Sequence, residues 1–252
     1  MLDLDLTATL ALAALILLAA AVYAAVGHGG ASAYLAAMAL FGLPPAFMKP
    51  AALSMNIAVT ALVFWRLRKA GHFDPRLFLP FALASIPLAF LGGMQELTEP
   101  LYRLIVAFAL AVAATRLFWR PQDVAATGRP PMALALAIGG VMGYLSGLTG
   151  VGGGIFLSPV VLLLRWTDMR GSAALAAAFI FVNSVAGLAG FMASGGAIPS
   201  AAPGLVTVAL IGGAVGAELA VRRLAPQRLR QLLGVVLIIA AGKMAWLALA
   251  AL

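Results

Sequence analysis

Long apolar runs recur from one end of this sequence to the other, and they restrict the chain to very few folds. Several are about 17 to 23 residues long, which is enough for a helix to cross a hydrocarbon core roughly 30 Å thick. Only 10% of the residues are charged, against about 25% in an average soluble domain. The sequence therefore predicts an all-α, polytopic membrane protein. The net charge of +8 then indicates basic cytoplasmic loops rather than nucleic-acid binding.

Five predicted segments fall in each half of the chain. The second segment in each half is only about twelve residues long, roughly 18 Å of helix, and is too short to cross a bilayer alone. The ten segments are residues 6–26, 31–42, 48–65, 77–93, 101–119, 132–149, 154–165, 172–193, 203–221 and 229–251.

Two glycine clusters, GHGG at residues 27–30 and GVGGG at residues 150–154, directly precede the short segments. Each glycine in a helix interior costs about 1 kcal/mol relative to alanine, so the clusters predict breaks in the helices. Within a bilayer such breaks are tolerated only where they are buried in protein or line a polar cavity. Matching breaks in two halves of a chain are typical of the substrate site of a transporter.

The two halves match beyond the glycines. Asn56 and Asn183 occupy equivalent positions in the third segments, and both fifth segments place a cation three residues before a tryptophan. We therefore predict a first transmembrane repeat at residues 1–120 and a second at residues 132–252. The cytoplasmic linker between them, residues 121–131, contains prolines, a glycine and charges that suit an exposed connector.

The distribution of lysine and arginine predicts the orientation in the membrane. Thirteen of the sixteen fall around residues 66–76, 116–129, 165–170 and 222–230, which are therefore expected to be cytoplasmic. Because each half has an odd number of segments, the halves become two inverted repeats. Each repeat consists of a glycine-broken helix hairpin and three further transmembrane helices. Both termini are expected in the periplasm.

These residues resemble the sulfite exporter TauE/SafE family, also called the toluene-sulfonate uptake permease family. The resemblance covers nearly the whole chain and rests on the two glycine clusters, the short segment after each, Pro159 and the two asparagines. It implies a small carrier of the bacterial inner membrane for sulfur-containing anions such as sulfite, sulfonates or related organic acids. This chain departs from strict repetition in having Ala31 where the second cluster has Gly154, and His28 in place of Val151.

The glycine clusters supply the first candidate substrate-binding residues, Gly29, Gly30, Gly152 and Gly153. Their uncovered amides and the positive N-terminal ends of the short helices would attract an anion. The alternative is close helix packing, since small residues let membrane helices approach each other. Packing alone is expected at other glycines, such as Gly212, Gly213 and Gly216.

Polar residues near the breaks supply the other candidates. The amides of Asn56 and Asn183 need partners inside a membrane, and these are substrate, the broken backbone or another helix. Ser32 and Thr149 lie next to the breaks. His28, within the first break, is either a proton-coupling group or a neutral histidine that donates to a loop carbonyl.

Charged residues in or beside the segments are expected to be structural. Lys49 would attract anions or, as we expect, extend from the interface to the lipid headgroups. The neighbouring Trp246 indicates interfacial anchoring for Lys243. Glu218 is expected to pair with Arg222, four residues further along its helix.

The predicted function is a secondary transporter that moves a small sulfur-containing or organic anion by alternating access, one half moving against the other. The alternatives are a passive anion channel and an intramembrane enzyme built on His28 and Ser32. Nothing in the sequence supplies the oriented base and oxyanion hole of such an enzyme, so no catalytic residue is assigned. No cofactor, metal or nucleic-acid partner is predicted. The expected partners are the anion and the lipid bilayer, and the sequence permits a homo-oligomer.

Overall fold

A computed structural model describes residues 5–118, 126–222 and 227–251, without the side chains of residues 116–117, 219–222, 227–230 and 232. Every regular element in these ranges is a helix, as the apolar runs predict. The helices are α1 (Leu6–Ala25), α2 (Ala31–Leu40), α3 (Pro45–Lys69), α4 (Pro75–Met94), α5 (Glu99–Phe118), α6 (Met132–Thr149), α7 (Gly154–Leu163), α8 (Met169–Ala193), α9 (Ala202–Arg222) and α10 (Gln227–Leu249).

The two short helices are present where the sequence predicts them. Helices α2 and α7 have ten residues each, about 15 Å of helix, so neither can span a bilayer. Within the described ranges, five helices are long and apolar enough to cross a membrane, namely α1, α3, α4, α6 and α8. The protein is therefore a multi-pass membrane protein.

Two helices begin before their apolar segments because an aspartate caps a polar first turn. Helix α4 begins at Pro75, and the Asp74 side chain accepts hydrogen bonds from the first free amides. Asp168 caps α8 in the same way, accepting from the amide of Gly171 at 2.7 Å. Aspartate at this position satisfies amides that have no partner in the helix. Hydropathy alone misses these turns because they are polar.

The helices of the two halves are interleaved. Helix α1, the first of the first half, packs along α9, the fourth of the second half. Helix α6, the first of the second half, packs along α4, the fourth of the first half, in the same way. Helices α5 and α10, the last of each half, pack against each other, as do the third helices α3 and α8. Each half therefore covers its first helix with the fourth helix of the other half.

Glycines bring the exchanged helices into backbone contact. On α6, a methyl group added to Gly139, Gly143 or Gly147 would overlap a carbonyl oxygen of α4. On α9, Gly212 and Gly216 abut carbonyl oxygens of α1 in the same way. Spacing of small residues by four is a known basis of membrane helix packing. The packing role expected for Gly212 and Gly216 is thus observed, and Gly213 faces the side chain of Val59.

Three of the basic regions lie together at one end of the molecule. The guanidinium of Arg129 approaches Asp74 at 3.4 Å, and the amide of Thr127 donates to the carbonyl oxygen of Arg165 at 2.8 Å. The described part of the linker, residues 126–131, is irregular and joins the loops before α4 and after α7.

Glu218 of α9 is bound to a cation of the first half. Arg66 on α3 donates to its carboxylate at 2.9 Å, so the ion pair links α3 with α9. The side chain of Arg222, the partner expected from sequence, lies outside the described part of the protein. So do Trp119 and the side chains of five further arginines (residues 116, 120, 223, 228 and 230).

Candidate substrate site

Both helix breaks depend on left-handed glycines. In the first break, Gly27 and Gly30 have φ of 84° and 89°. In the second, Gly150 and Gly153 have φ of 83° and 75°, so these two equivalent pairs share one conformation, whereas Gly152, with φ of 88°, differs from its equivalent Gly29. Only glycine enters this region without steric cost. The glycines that predict the two breaks in the sequence therefore also form the backbone turns that produce them.

Four amides in the breaks are not used by the backbone. In the described part of the chain, the amides of Gly29, Gly30, Gly152 and Gly153 donate to no backbone carbonyl. The N-cap residue of each short helix is a glycine, which has no side chain to cap the first amides of the helix. Unsatisfied amides at a helix N-terminus form a ready site for an anion.

Asn56 lies between the two breaks. It is completely buried on α3, and a methyl group added to Gly29 would overlap its Oδ1 atom. A methyl group on Gly152 would come within 2.6 Å of its Nδ2 atom. A single side chain thus touches the breaks of both halves, which are more than a hundred residues apart in the sequence.

Several buried polar atoms on the helices that contact the breaks have no hydrogen-bond partner. Asn56 Nδ2 donates to Ser184 Oγ at 3.4 Å, but Asn56 Oδ1 accepts from nothing. Asn183, the equivalent residue on α8, has no partner for either amide atom. Tyr34 and Ser146 are also unsatisfied, and their side chains lie next to Gly30 and Gly153 respectively. Buried polar groups are normally paired, so this cluster is unusual.

His28 connects the first break to the second short helix. Its Nδ1 lies 3.0 Å from the carbonyl oxygen of Val26, which places a proton on Nδ1. Its Nε2 lies 2.9 Å from Ser158 Oγ on α7. The bond to a loop carbonyl is the contact expected in one of the two interpretations given above. The contact also joins the two halves at the breaks.

Ser32 and Thr149 make local contacts rather than meeting Asn56. Ser32 Oγ donates to the hydroxyl of Tyr23 at 2.7 Å, tying α2 to α1. Thr149 Oγ1 donates to the carbonyl oxygen of Leu145 and accepts from the amide of Val151, so it shapes the end of α6. The structure thus places Asn56 in contact with both Gly29 and Gly152, whereas Ser32 and Thr149 bind residues of their own break or the preceding helix.

Lys49 is not the interfacial residue that the sequence suggests. Only 6% of the residue is exposed, and its Nζ donates to the carbonyl oxygens of Gly93 at 2.8 Å and Gln95 at 3.2 Å. Lys243 likewise donates to the carbonyl oxygen of Leu40 at 2.7 Å. Each ammonium thus sits at the C-terminal end of a helix, α4 or α2, where the helix dipole favours a cation. The expectation of headgroup contact is wrong for Lys49.

Sequence reasoning also missed Tyr34 and Ser158. Tyr34 follows Gly30 by four residues, and one helical turn returns its ring to the break. Ser158 is one turn into α7, directly before Pro159. Both positions were open to prediction from helical spacing once the short helices were known to begin at the glycines.

Comparison with known proteins settles the family. The profile of the family described as "Sulfite exporter TauE/SafE" matches residues 12–244, almost the whole chain. The chain belongs to the sulfite exporter TauE/SafE family. This TauE/SafE protein is also 38% identical over 245 residues to a "Probable membrane transporter protein y4hK" of Sinorhizobium fredii (strain NBRC 101917 / NGR234). The alignment covers 95% of this chain and 99% of that relative. No solved structure matches the chain.

Family membership and the described helices together identify a membrane transporter. The matched relative is bacterial and is named as a membrane transporter, and five described helices have the length and composition of spans. This TauE/SafE protein is accordingly a multi-pass transporter of the bacterial inner membrane. No group of three or more potential metal ligands occurs in the described part of the chain.

Proposed function

We propose that the protein is a secondary carrier that moves a small sulfur-containing or organic anion, such as sulfite or a sulfonate, across the inner membrane. The contact of Asn56 with both glycine breaks carries this proposal. It puts amides from two halves, and two short-helix N-termini, around one buried point.

The proposed site binds an anion through neutral donors. The donors proposed for the site are the amides of the two breaks, the hydroxyls of Tyr34 and Ser146 and the side-chain amide of Asn183, and all of them are uncharged groups. In a low-dielectric interior, hydrogen bonds to a charged group are stronger than in water. The unpartnered side-chain atoms of Asn56, Asn183, Tyr34 and Ser146 are the groups that a bound anion and its water would satisfy.

Alternating access in this protein would move units that combine both halves. Helices α4 and α6 are in backbone contact, and so are α1 and α9. Such contacts resist sliding because packed interfaces do not deform continuously. We propose that α4 moves with α6, α7 and α8, and that α9 moves with α1, α2 and α3. The movement of one sequence half against the other, expected from the duplication, would break both glycine interfaces.

Transport in proteoliposomes tests the proposed function. Uptake of radiolabelled sulfite should saturate with concentration, and unlabelled sulfite inside the vesicles should accelerate it by counterflow. A parallel thermal-shift screen with sulfite, sulfate, thiosulfate, sulfonates and carboxylates should raise the melting temperature for the transported class, because ligands that bind the folded form stabilise it. Flux that rises linearly and shows no counterflow would identify a passive channel. No anion-dependent flux or stabilisation would refute the proposal.

The inverted topology predicts which loops face the cytoplasm. The chain has no cysteine, so single replacements Ala70→Cys, Ala125→Cys and Ala201→Cys can be labelled without background. An impermeant thiol reagent added to intact cells should label position 201, and positions 70 and 125 only after the membrane is opened. Labelling of position 70 but not 201 in intact cells would contradict the inverted repeat.

A further inference from the structure

We propose that the pocket around Lys49 is the access site through which the anion reaches the second glycine break. This proposal rests on the anion transport proposed above and adds a second, outer binding position to it. The ligand is the same small oxyanion, in its hydrated form.

The pocket lies where α3 and α5 begin and α4 ends. Its volume is about 270 Å³, the space of about nine water molecules at roughly 30 Å³ each, so it admits a small oxyanion together with part of its hydration shell. Lys49 lies on its wall beside Gln95 and Tyr102, and the exposed residues Ala46 and Glu96 lie at its rim.

The floor of the pocket is continuous with the second break. Leu148, in the last turn of α6, lines the pocket, and Tyr102 donates to the carbonyl oxygen of Thr149 at 3.0 Å. A methyl group on Gly150 would come within 3.1 Å of the backbone carbonyl oxygen of Lys49. The break thus begins against Lys49 at the pocket.

The same break ends against the central asparagine. Gly152 touches Asn56, which lies seven residues after Lys49 on α3, or about 10 Å along the helix. The chain from Gly150 to Gly152 therefore leads from the backbone of Lys49, at the pocket, to the side chain of Asn56 at the proposed central site.

Lys49 gives this pocket its positive charge. It is the one buried cation among the lysines and arginines whose side chains are described. Three carbonyl oxygens at the end of α4, those of Gly92, Gly93 and Gln95, hold its ammonium in place. Glu96 opposes this charge at the rim, but its side chain is exposed to solvent, where water and salt screen it more strongly than the buried ammonium.

Helix capping alone is the competing explanation, and Lys243 is its natural control. Lys243 also donates to a carbonyl oxygen at a helix end, that of Leu40, yet it does not line this pocket. Removal of either ammonium costs a helix cap. Only removal of Lys49 should change how the pocket treats anions.

The test measures the charge preference of a thiol placed at the rim. In an Ala46→Cys protein, the rates of reaction with a sulfonate-bearing and a trimethylammonium-bearing methanethiosulfonate are each divided by the rate for a free thiol. Their ratio should favour the sulfonate. Adding Lys49→Met should lower the ratio by about tenfold, because loss of the ammonium slows the anionic reagent and speeds the cationic one, each several-fold. Lys49→Arg should preserve the ratio, and Lys243→Met should leave it unchanged.

A second variant keeps the proposal testable if Lys49→Met does not fold. Glu96→Gln removes an exposed carboxylate that repels the sulfonate reagent and attracts the trimethylammonium reagent. The variant should therefore raise the sulfonate preference at position 46 several-fold at low salt, where this charge is least screened. An unchanged ratio in both Lys49→Met and Glu96→Gln would overturn the proposal. A fall in the ratio for Lys243→Met equal to that for Lys49→Met would overturn it as well.

Transport separates the two proposals. In proteoliposomes, Lys49→Met should raise the KM for the anion about tenfold or more, while the maximal rate at saturating anion changes less. Saturable wild-type counterflow with a normal KM in Lys49→Met would refute the access site and leave the central site standing. Absence of anion transport by the wild type would refute both.

Discussion

Replacing Asn56 with leucine should abolish anion transport while leaving a folded protein in the membrane. Leucine has nearly the same size and removes an Oδ1 atom that has no partner in the structure. Leucine also removes the 3.4 Å hydrogen bond from Asn56 Nδ2 to Ser184 Oγ, so the variant should melt lower, by the equivalent of about 1–3 kcal/mol, and still fold. Loss of a hydrogen bond to a charged ligand costs about 1.5–3 kcal/mol, which corresponds to roughly 10- to 150-fold in affinity.

Asn183→Leu should have the same effect, and Thr60→Val serves as the matched control. Both amide atoms of Asn183 lack partners, so a role in binding is the simplest reason to keep them buried. Thr60 is on the same helix as Asn56, but its hydroxyl is satisfied by the carbonyl oxygen of Asn56 at 2.6 Å. Uptake of labelled sulfite and yield of folded protein are the measurements. Normal KM in both leucine variants would show that the asparagines only hold helices together.

Gly29→Ala should sharply reduce anion binding, and Gly213→Ala should not. Gly29 is the one of the four candidate glycines without positive φ, so alanine brings no backbone strain there. Its methyl group would overlap Asn56 Oδ1 and approach Thr60 at 2.7 Å, displacing the asparagine and filling the proposed site. Gly213 on α9 faces only the side chain of Val59 on α3, at 2.9 Å. Alanine there therefore disturbs packing against the helix that carries Asn56 without reaching Asn56 itself.

Ligand-induced stabilisation distinguishes the two glycines. At an anion concentration of 100 times Kd, binding stabilises the folded protein by about 2.7 kcal/mol. A tenfold weaker Kd reduces this to about 1.4 kcal/mol, so the shift in melting temperature should fall by half or more in Gly29→Ala. Gly213→Ala should melt lower and keep its full shift. Retention of the full shift by Gly29→Ala would show that this glycine serves packing.

Gly30 and Gly153 are less informative positions for the same experiment. Both have positive φ, so any side chain strains the backbone. Valine at either position would therefore lower the baseline stability and the ligand response together. We still expect the two variants to resemble each other, since both residues precede a short helix.

Local features of the sequence predicted most of the fold. Hydropathy located the helices, and glycine clusters located the breaks because no other residue enters left-handed backbone so readily. The pairing of helices was less accessible. GxxxG spacing at Gly212 and Gly216 indicates a close contact, but the sequence of α9 does not indicate that α1 is the partner.

The sequence suggested several residues of the candidate site but not their geometry. Asn56 and Asn183 stand out by symmetry, yet only the structure shows that Asn56 touches both breaks. Lys49 was misjudged because its sequence position near a helix start resembles an interfacial one. Its partners, the carbonyl oxygens of Gly92, Gly93 and Gln95, come from the end of α4, more than forty residues away, which no local pattern reveals.

The contact of α1 with α9 also constrains how the protein is made. The ribosome completes Leu17 about 195 residues before Gly212, the glycine that packs against it. At 5–20 residues per second, this interval lasts about 10 to 40 seconds. During that time α1 resides in the membrane with its contact face covered by lipid or by the insertion machinery. Assembly of the first helix with α9 is therefore among the last steps of biogenesis, and a truncated chain that stops before α9 would leave the glycine-contact face of α1 permanently exposed to lipid.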